Sequence, residues 1–215
     1  LKAVREMLKY LKIKSPLELH VDSDLPARSG LGSSSAFIVC LIGSINNFLG
    51  KKISNKRLFQ EAIHFEQNIL RDFCGSQDQV ITSLGGFKKT LYTRSNISST
   101  NIKILESQKD KLENSLILIF TGFSRNANIV EKNKIKFIEQ NYISYHQLYD
   151  IALEAKNIFE TKNSNLNDIG KLFHESWLIK KQLSKKVTNN KIDDLYNYAI
   201  SNGAIGGKLL GAGNG

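Results

Sequence analysis

The segment Leu25-Pro-Ala-Arg-Ser-Gly-Leu-Gly-Ser-Ser-Ser-Ala36 constrains this chain more than any other, because a glycine- and serine-rich turn runs straight into an apolar helix. The first N–H groups of a helix have no intrahelical partner, and the helix dipole gives them positive character, so such a start is a ready anion site. Gly30 and Gly32 lack the Cβ atoms that would hold a bound group away from the backbone. Ser33, Ser34 and Ser35 then supply hydroxyls that can donate to an anion or ligate a hard cation. With Leu31, residues 30–35 are the expected anion cradle. No Gly-Lys-Ser/Thr follows the glycines, which excludes a Walker A loop. Taken alone, the segment also reads as an ordinary helix N-cap with flanking glycines.

A second constraint lies in the helix expected from Ser54, a plausible N-cap, to about Arg71. At about 100° per residue, Leu58, Ala62, Ile63, Ile69 and Leu70 share one apolar face, and Glu66 falls near its middle. A carboxylate among aliphatic groups is costly without a cation or several donors, so Glu66 is either a cation ligand or a buried, paired acid. Twelve residues later (78 − 66), Asp78 stands in Gly75-Ser-Gln-Asp-Gln79, where Gly75 permits a tight turn that brings both acids to one site. A helix N-cap is the alternative role for Asp78.

Strands are expected at 17–23, 86–93, 102–106 and 115–121, with helices at 1–11, 33–49 and 54–71 and mainly helix after Arg125. Strands concentrate in the first half and helices in the second, which predicts an α+β architecture in two lobes, 1–110 and 111–215. Both ends read as cut: the first helix has no N-cap, and the chain stops inside Gly211-Ala-Gly-Asn-Gly215. An apolar content of 41% fits a globular protein, and no apolar run is long enough to cross a bilayer, so no membrane association is expected. Two cysteines, Cys40 and Cys74, form neither a disulfide framework nor a zinc spacing, which favours a reducing, cytoplasmic setting. Cys74 lies in the loop before Asp78 and is a site for thiol reagents.

The net charge of +10 raises nucleic acid as a partner, yet the lysines are dispersed and rarely interleave with aromatics. The one tight cluster, Lys180, Lys181, Lys185 and Lys186, reads as a solvated helix terminus, so no nucleic acid is expected. His174 and Trp177 share a helix with Leu166, Ile169 and Phe173, a spacing that makes Trp177 core and His174 a structural residue.

Pro26-x-x-x-Gly30-Leu-Gly-Ser-Ser34 resembles the second signature of the GHMP small-molecule kinases, the superfamily of galactokinase, homoserine kinase, mevalonate kinase and phosphomevalonate kinase. The third signature resembles Gly203-Ala-Ile-Gly-Gly-Lys-Leu-Leu-Gly-Ala-Gly-Asn-Gly215, with Asn214 where the family usually has glycine. The first signature has no counterpart here. Pro26–Ser35, Glu66-Gln67, Gly75-Ser-Gln-Asp-Gln79 and His174-Glu-Ser-Trp-Leu-Ile-Lys-Lys181 also resemble the bacterial D-glycero-D-manno-heptose 7-phosphate kinases. The resemblance implies a ribosomal protein S5 domain 2-like N-terminal lobe, a ferredoxin-like C-terminal lobe, and ATP-dependent phosphorylation of a sugar phosphate at its anomeric hydroxyl. It implies that 30–35 hold ATP phosphates, that Ser34 and Glu66 hold Mg2+, and that Asp78 serves the acceptor hydroxyl. Gly211 and Gly213 would let backbone approach the substrate, and Arg28 or Arg125 could clamp the substrate's own phosphate. A homodimer is left open. Other acceptors (galactose, fucose, mevalonate) and an inactive member that binds through its basic surface are the alternatives.

Overall fold

The computed structural model describes residues 2–24, 30–122, 132, 135, 137–211 and 213. Arg28 and Arg125 lie outside the described residues. The chain forms two compact units, Leu1–Gly86 and Phe87–Gly215.

The first unit is helical among its described residues: α1 (Lys2–Tyr10), α2 (Ser33–Phe48), α3 (Asn55–His64) and α4 (Gln77–Leu84). Ser54 caps α3 by accepting from the Arg57 N–H at 3.3 Å, as expected. Helix α3 continues into a π-helical turn, Phe65–Leu70, which closes on Arg71 in the left-handed region (φ 60°). Helix α2 is central. Its Ile38, Val39, Leu41, Ile42 and Ile45 are buried with Met7 of α1 and with Ala62 and Phe65. Its C-terminal turn closes at Gly50, whose φ of 69° permits the N–H of Lys51 to reach back to Asn46.

The second unit begins with an antiparallel hairpin, β1 (Lys88–Tyr92) and β2 (Ile97–Asn101), paired from Lys88 with Asn101 to Tyr92 with Ile97. Among the described residues the helices that follow are α5 (Glu106–Ser115), α6 (Tyr142–Glu160), α7 (Asn167–Gln182) and α8 (Asn190–Ser201). Phe159, Ile169 and Leu172 form one core, against which Ile102, Ile104 and Leu112 pack. Trp177, Val187 and Ile192 form another. Because Phe87 meets Phe159 edge-on at 4.9 Å and Ile102 and Ile104 join the same core, residues 87–110 lie in the second compact unit. The lobe division expected at 110/111 falls inside it.

Three expected strands do not form ladders among the described residues. Residues 17–23 are extended but mostly exposed, 102–106 lead into α5, and 115–121 run as an extended segment in which Ile117 is 86% exposed. Apolar patterning supplies propensity, but a strand also needs a ladder for its N–H and C=O groups, and of these segments Ile102 alone continues the hairpin, its N–H donating to the Phe87 carbonyl at 3.0 Å. The hairpin partner Ile97–Asn101 was not signalled, because its Ser, Ser and Thr residues show no apolar alternation.

Candidate active site

The glycine- and serine-rich turn leads into α2 as the sequence predicts. Gly30 and Gly32 both have φ of 77°, the left-handed region that glycine adopts without strain. Gly32 occupies the N-cap position of α2, and its carbonyl accepts the Ala36 N–H at 2.9 Å. Ser34 is exposed at this end, whereas Ser35 is buried.

Glu66 sits in the π-helical turn, 3% exposed, between Ala62, Phe65 and α2. The apolar face differs from the expected one: Phe59, Ala62 and Phe65 are its buried members, and Ile69 is 38% exposed. The wider turn shifts the phase of every residue after His64 relative to a regular helix. The carbonyl of Glu66 collects the N–H groups of both Arg71 and Asp72, which ends the helix and starts the loop.

Two neutral donors hold the Glu66 carboxylate. The Ser35 hydroxyl donates to Oε1 at 3.0 Å, and Gln79 Nε2 donates to Oε2 at 2.5 Å. No lysine, arginine or histidine among the described residues forms an ion pair with it. Burial therefore raises its pKa, the two hydrogen bonds oppose that rise, and the nearby Asp72 and Asp78 charges add to it. Gln79 was missed in the sequence. It is fully buried, and its Oε1 has no hydrogen-bond partner. The available signal was a polar side chain at the start of a short amphipathic helix, immediately after a candidate acid.

Asp78 lies in the first turn of α4, two residues past its N-cap Ser76, so it is not the cap. Its side chain lies against the anion turn: a Cβ built on Gly32 would stand 3.0 Å from Asp78 Cγ and 3.2 Å from Oδ2. The loop between the two acids is tied by Gln67, whose Nε2 donates to the Cys74 carbonyl at 3.0 Å and to Ser76 Oγ at 3.3 Å. Cys74 is half-buried, and burial together with the Glu66 and Asp72 charges pushes its thiol up to about 12. A thiol held that high works against the reactivity that its loop position suggested.

The first unit thus brings together Gly30, Gly32, Ser35, Glu66, Gln79 and Asp78. A buried carboxylate held only by neutral donors suits a hard divalent ion such as magnesium, which takes one or two carboxylates and completes its shell with phosphate oxygens and water. Glu66 fits that requirement, and Gln79 Oε1 is an unused oxygen beside it. No group of three or more His, Cys, Asp or Glu side chains that could hold a metal occurs among the described residues. Gly211 and Gly213 belong to the second unit, where both have positive φ (68° and 117°).

Residues 1–86 match the family model described as the GHMP kinases N terminal domain, the same span as the first compact unit. Those residues form a GHMP kinase N-terminal domain. Among particular relatives, it is 30% identical over 207 residues to the D-glycero-alpha-D-manno-heptose 7-phosphate kinase of Campylobacter jejuni, covering 94% of this chain and 60% of that protein. It is 23% identical over 206 residues to the mevalonate kinase of Thermococcus onnurineus, covering 91% and 56%. A solved D-glycero-D-manno-heptose 1-phosphate kinase from Bacteriodes thetaiotaomicron matches at TM-score 0.71 with 22% identity, over 99% of this chain and 60% of that one. The chain spans 60% of the length of each of the two heptose phosphate kinases. Its fold is the α+β fold of these kinases.

Proposed function

We propose that the protein is an ATP-dependent kinase that transfers the γ-phosphoryl group to a hydroxyl of a sugar phosphate, the anomeric hydroxyl of D-glycero-D-manno-heptose 7-phosphate. The observation that carries this reading is the contact between the anion turn at Gly32 and the Asp78 carboxylate, with the buried Glu66 one residue away through Gln79. Phosphoryl transfer needs a phosphate cradle, a charge-neutralising cation and a group for the attacking hydroxyl, and little else.

In this reading the N–H groups of the 30–35 turn and the start of α2 receive the phosphates of ATP. Glu66 and Ser34 would hold Mg2+, which neutralises developing charge on the phosphates when bound. Ser35 and Gln79 keep the Glu66 carboxylate turned toward that position. Asp78 accepts the proton of the acceptor hydroxyl as the oxygen–phosphorus bond forms and the bond from the γ-phosphorus to ADP breaks. An anomeric hydroxyl is more acidic than an ordinary alcohol, which suits a carboxylate base. Arg28 or Arg125 is proposed as the clamp for the sugar's own phosphate.

The test is ADP release by the full-length protein with magnesium-ATP and a panel of heptose 7-phosphate, mannose 6-phosphate, galactose, fucose and mevalonate. Turnover on heptose 7-phosphate that collapses in Asp78→Asn supports both substrate and base. Turnover on a different acceptor keeps the kinase and replaces the substrate. A folded protein with no turnover on any acceptor overturns the reading.

A further inference from the structure

Helix α4 carries two orphaned polar atoms on its inner face. Gln79, Val80 and Ser83 are its buried residues. Gln79 is fully buried and Ser83 is 8% exposed, and neither Gln79 Oε1 nor Ser83 Oγ has a hydrogen-bond partner. Four residues apart on a helix, the two side chains are neighbours, with Cβ atoms about 5–6 Å apart.

Each orphan has a chemical reason. An ionised carboxylate only accepts, so the Gln79 amide must present its N–H to Glu66, and Nε2 donates to Oε2 at 2.5 Å. That orientation leaves the amide carbonyl without a donor. A helical serine has an ordinary outlet, the carbonyl four residues back. Ser115 and Ser201 take it, donating to the Lys111 and Asn197 carbonyls at 2.7 Å each. Ser83 does not, although the carbonyl on offer is that of Gln79 itself.

The two needs are complementary: Oε1 lacks a donor, and the Ser83 hydroxyl lacks an acceptor for its proton. Buried polar groups are costly when unpaired, and a water with several polar partners is the common remedy. One water donates to Oε1 and takes the Ser83 proton into a hydrogen bond. A cation is the rival occupant. It would use the lone pairs of both oxygens but leave the Ser83 proton with no acceptor.

We propose that α4 holds one buried water between Gln79 Oε1 and Ser83 Oγ, and that Ser83 is thereby a positioning residue for the Glu66 carboxylate. The water fixes the rotation of the Gln79 amide, and the fixed amide holds Glu66 Oε2. Ser35 already holds Oε1 of the same carboxylate at 3.0 Å. A carboxylate tied at both oxygens points one way. The water needs no reading of function, whereas the consequence for cation binding rests on the role proposed above for Glu66.

The experiment uses full-length protein: the parent, Ser83→Ala, Ser83→Thr, Gln79→Met and the double variant Ser83→Ala/Gln79→Met. Crystal structures at a resolution that shows ordered water should place one water within hydrogen-bond distance of both atoms in the parent. In Ser83→Ala the Gln79 amide should turn from Glu66. Mn2+ affinity in the presence of ADP is followed by electron paramagnetic resonance. Ser83→Ala should weaken it about fivefold, and Ser83→Thr should restore it to within about twofold. In the Gln79→Met background, Ser83→Ala should change nothing further. A parent structure with no water there, or with a metal ion bound directly to Oε1, overturns the site. Unchanged Mn2+ affinity in Ser83→Ala overturns the positioning role, and so does an equal loss in both backgrounds, which marks a packing effect. If the parent binds no Mn2+ with ADP, the cation role of Glu66 fails. The two crystal structures then decide the proposal, by the water in one and the Gln79 amide in the other.

Discussion

The Asp78 carboxylate stands where a side chain on Gly32 would project, with Cγ 3.0 Å and Oδ2 3.2 Å from that position. Gly32 also holds a φ of 77° as the N-cap of α2. Two requirements therefore fall on one residue: a left-handed backbone and an empty volume beside an acid. An ordinary N-cap would need only the first.

Gly32→Ala violates both. The left-handed conformation costs about 1–2 kcal/mol for an alanine, and the methyl group displaces Asp78. Stability is expected to fall by roughly that amount in chemical denaturation, and turnover by about a hundredfold, the scale of an ångström's misplacement at a reacting centre. A fall in stability with turnover unchanged would separate Asp78 from the chemistry.

Glu66 gives a pH dependence with a definite sign. Burial lifts it above its ordinary 4.5, so the folded protein holds this proton more tightly than the unfolded chain. Its contribution to stability is greatest below the unfolded value and declines as pH rises through the interval up to the folded value. Without nucleotide or divalent ion, Glu66→Gln should flatten that decline above pH 4.5. Unfolding midpoints measured across pH, parent against variant, are the check. Parallel curves would mean that burial does not perturb this carboxylate.

Gln79→Met keeps side-chain length but removes the donor to Glu66 Oε2. A buried carboxylate left with the Ser35 hydroxyl alone costs about 1–3 kcal/mol. The expected loss is therefore largest where Glu66 is ionised, and it should shrink in acid. Urea unfolding near neutrality and near pH 4 distinguishes this from a packing effect, which would be the same at both.

The two thiols should separate in labelling. Cys40 is exposed, whereas the Cys74 thiol is pushed up to about 12 by burial and neighbouring acids. At pH 8 the thiolate fraction of Cys74 is about a thousandfold below that of an ordinary thiol. Iodoacetamide followed by peptide mass spectrometry should find Cys40 modified first. Early modification of Cys74 would mean that its loop opens readily.

The helices that build the site were readable because their signals are local. Glycines and serines preceding an apolar run mark the start of α2, Ser54 marks the start of α3, and an acid within an apolar face marks Glu66. Gln79 was not readable, since its importance lies in an amide directed at a residue thirteen positions earlier (79 − 66) on another element. Lys180 was misread as a solvated helix terminus for the same reason: it is half-buried, its Nζ donates to the Leu209 and Gly211 carbonyls 29 and 31 residues away, and a charge count sees only neighbouring lysines. A strand at 17–23 was expected from alternation and one at 115–121 from its apolar run, and neither pattern shows whether a partner lies alongside.

The π-helical turn at Phe65–Leu70 makes chain length itself a functional variable. Such a turn holds one residue more than the ordinary repeat needs. Deleting any one of the six would let the helix close normally and rotate the downstream residues by about 100°. Gln67 would leave Cys74 and Ser76, and the loop that delivers Asp78 and Gln79 would lose its tie. Substitution at the exposed Asn68 should be nearly silent, while deletion of the same position should abolish the site. A gap placed here when comparing sequences marks a lost geometry even where every acid is retained.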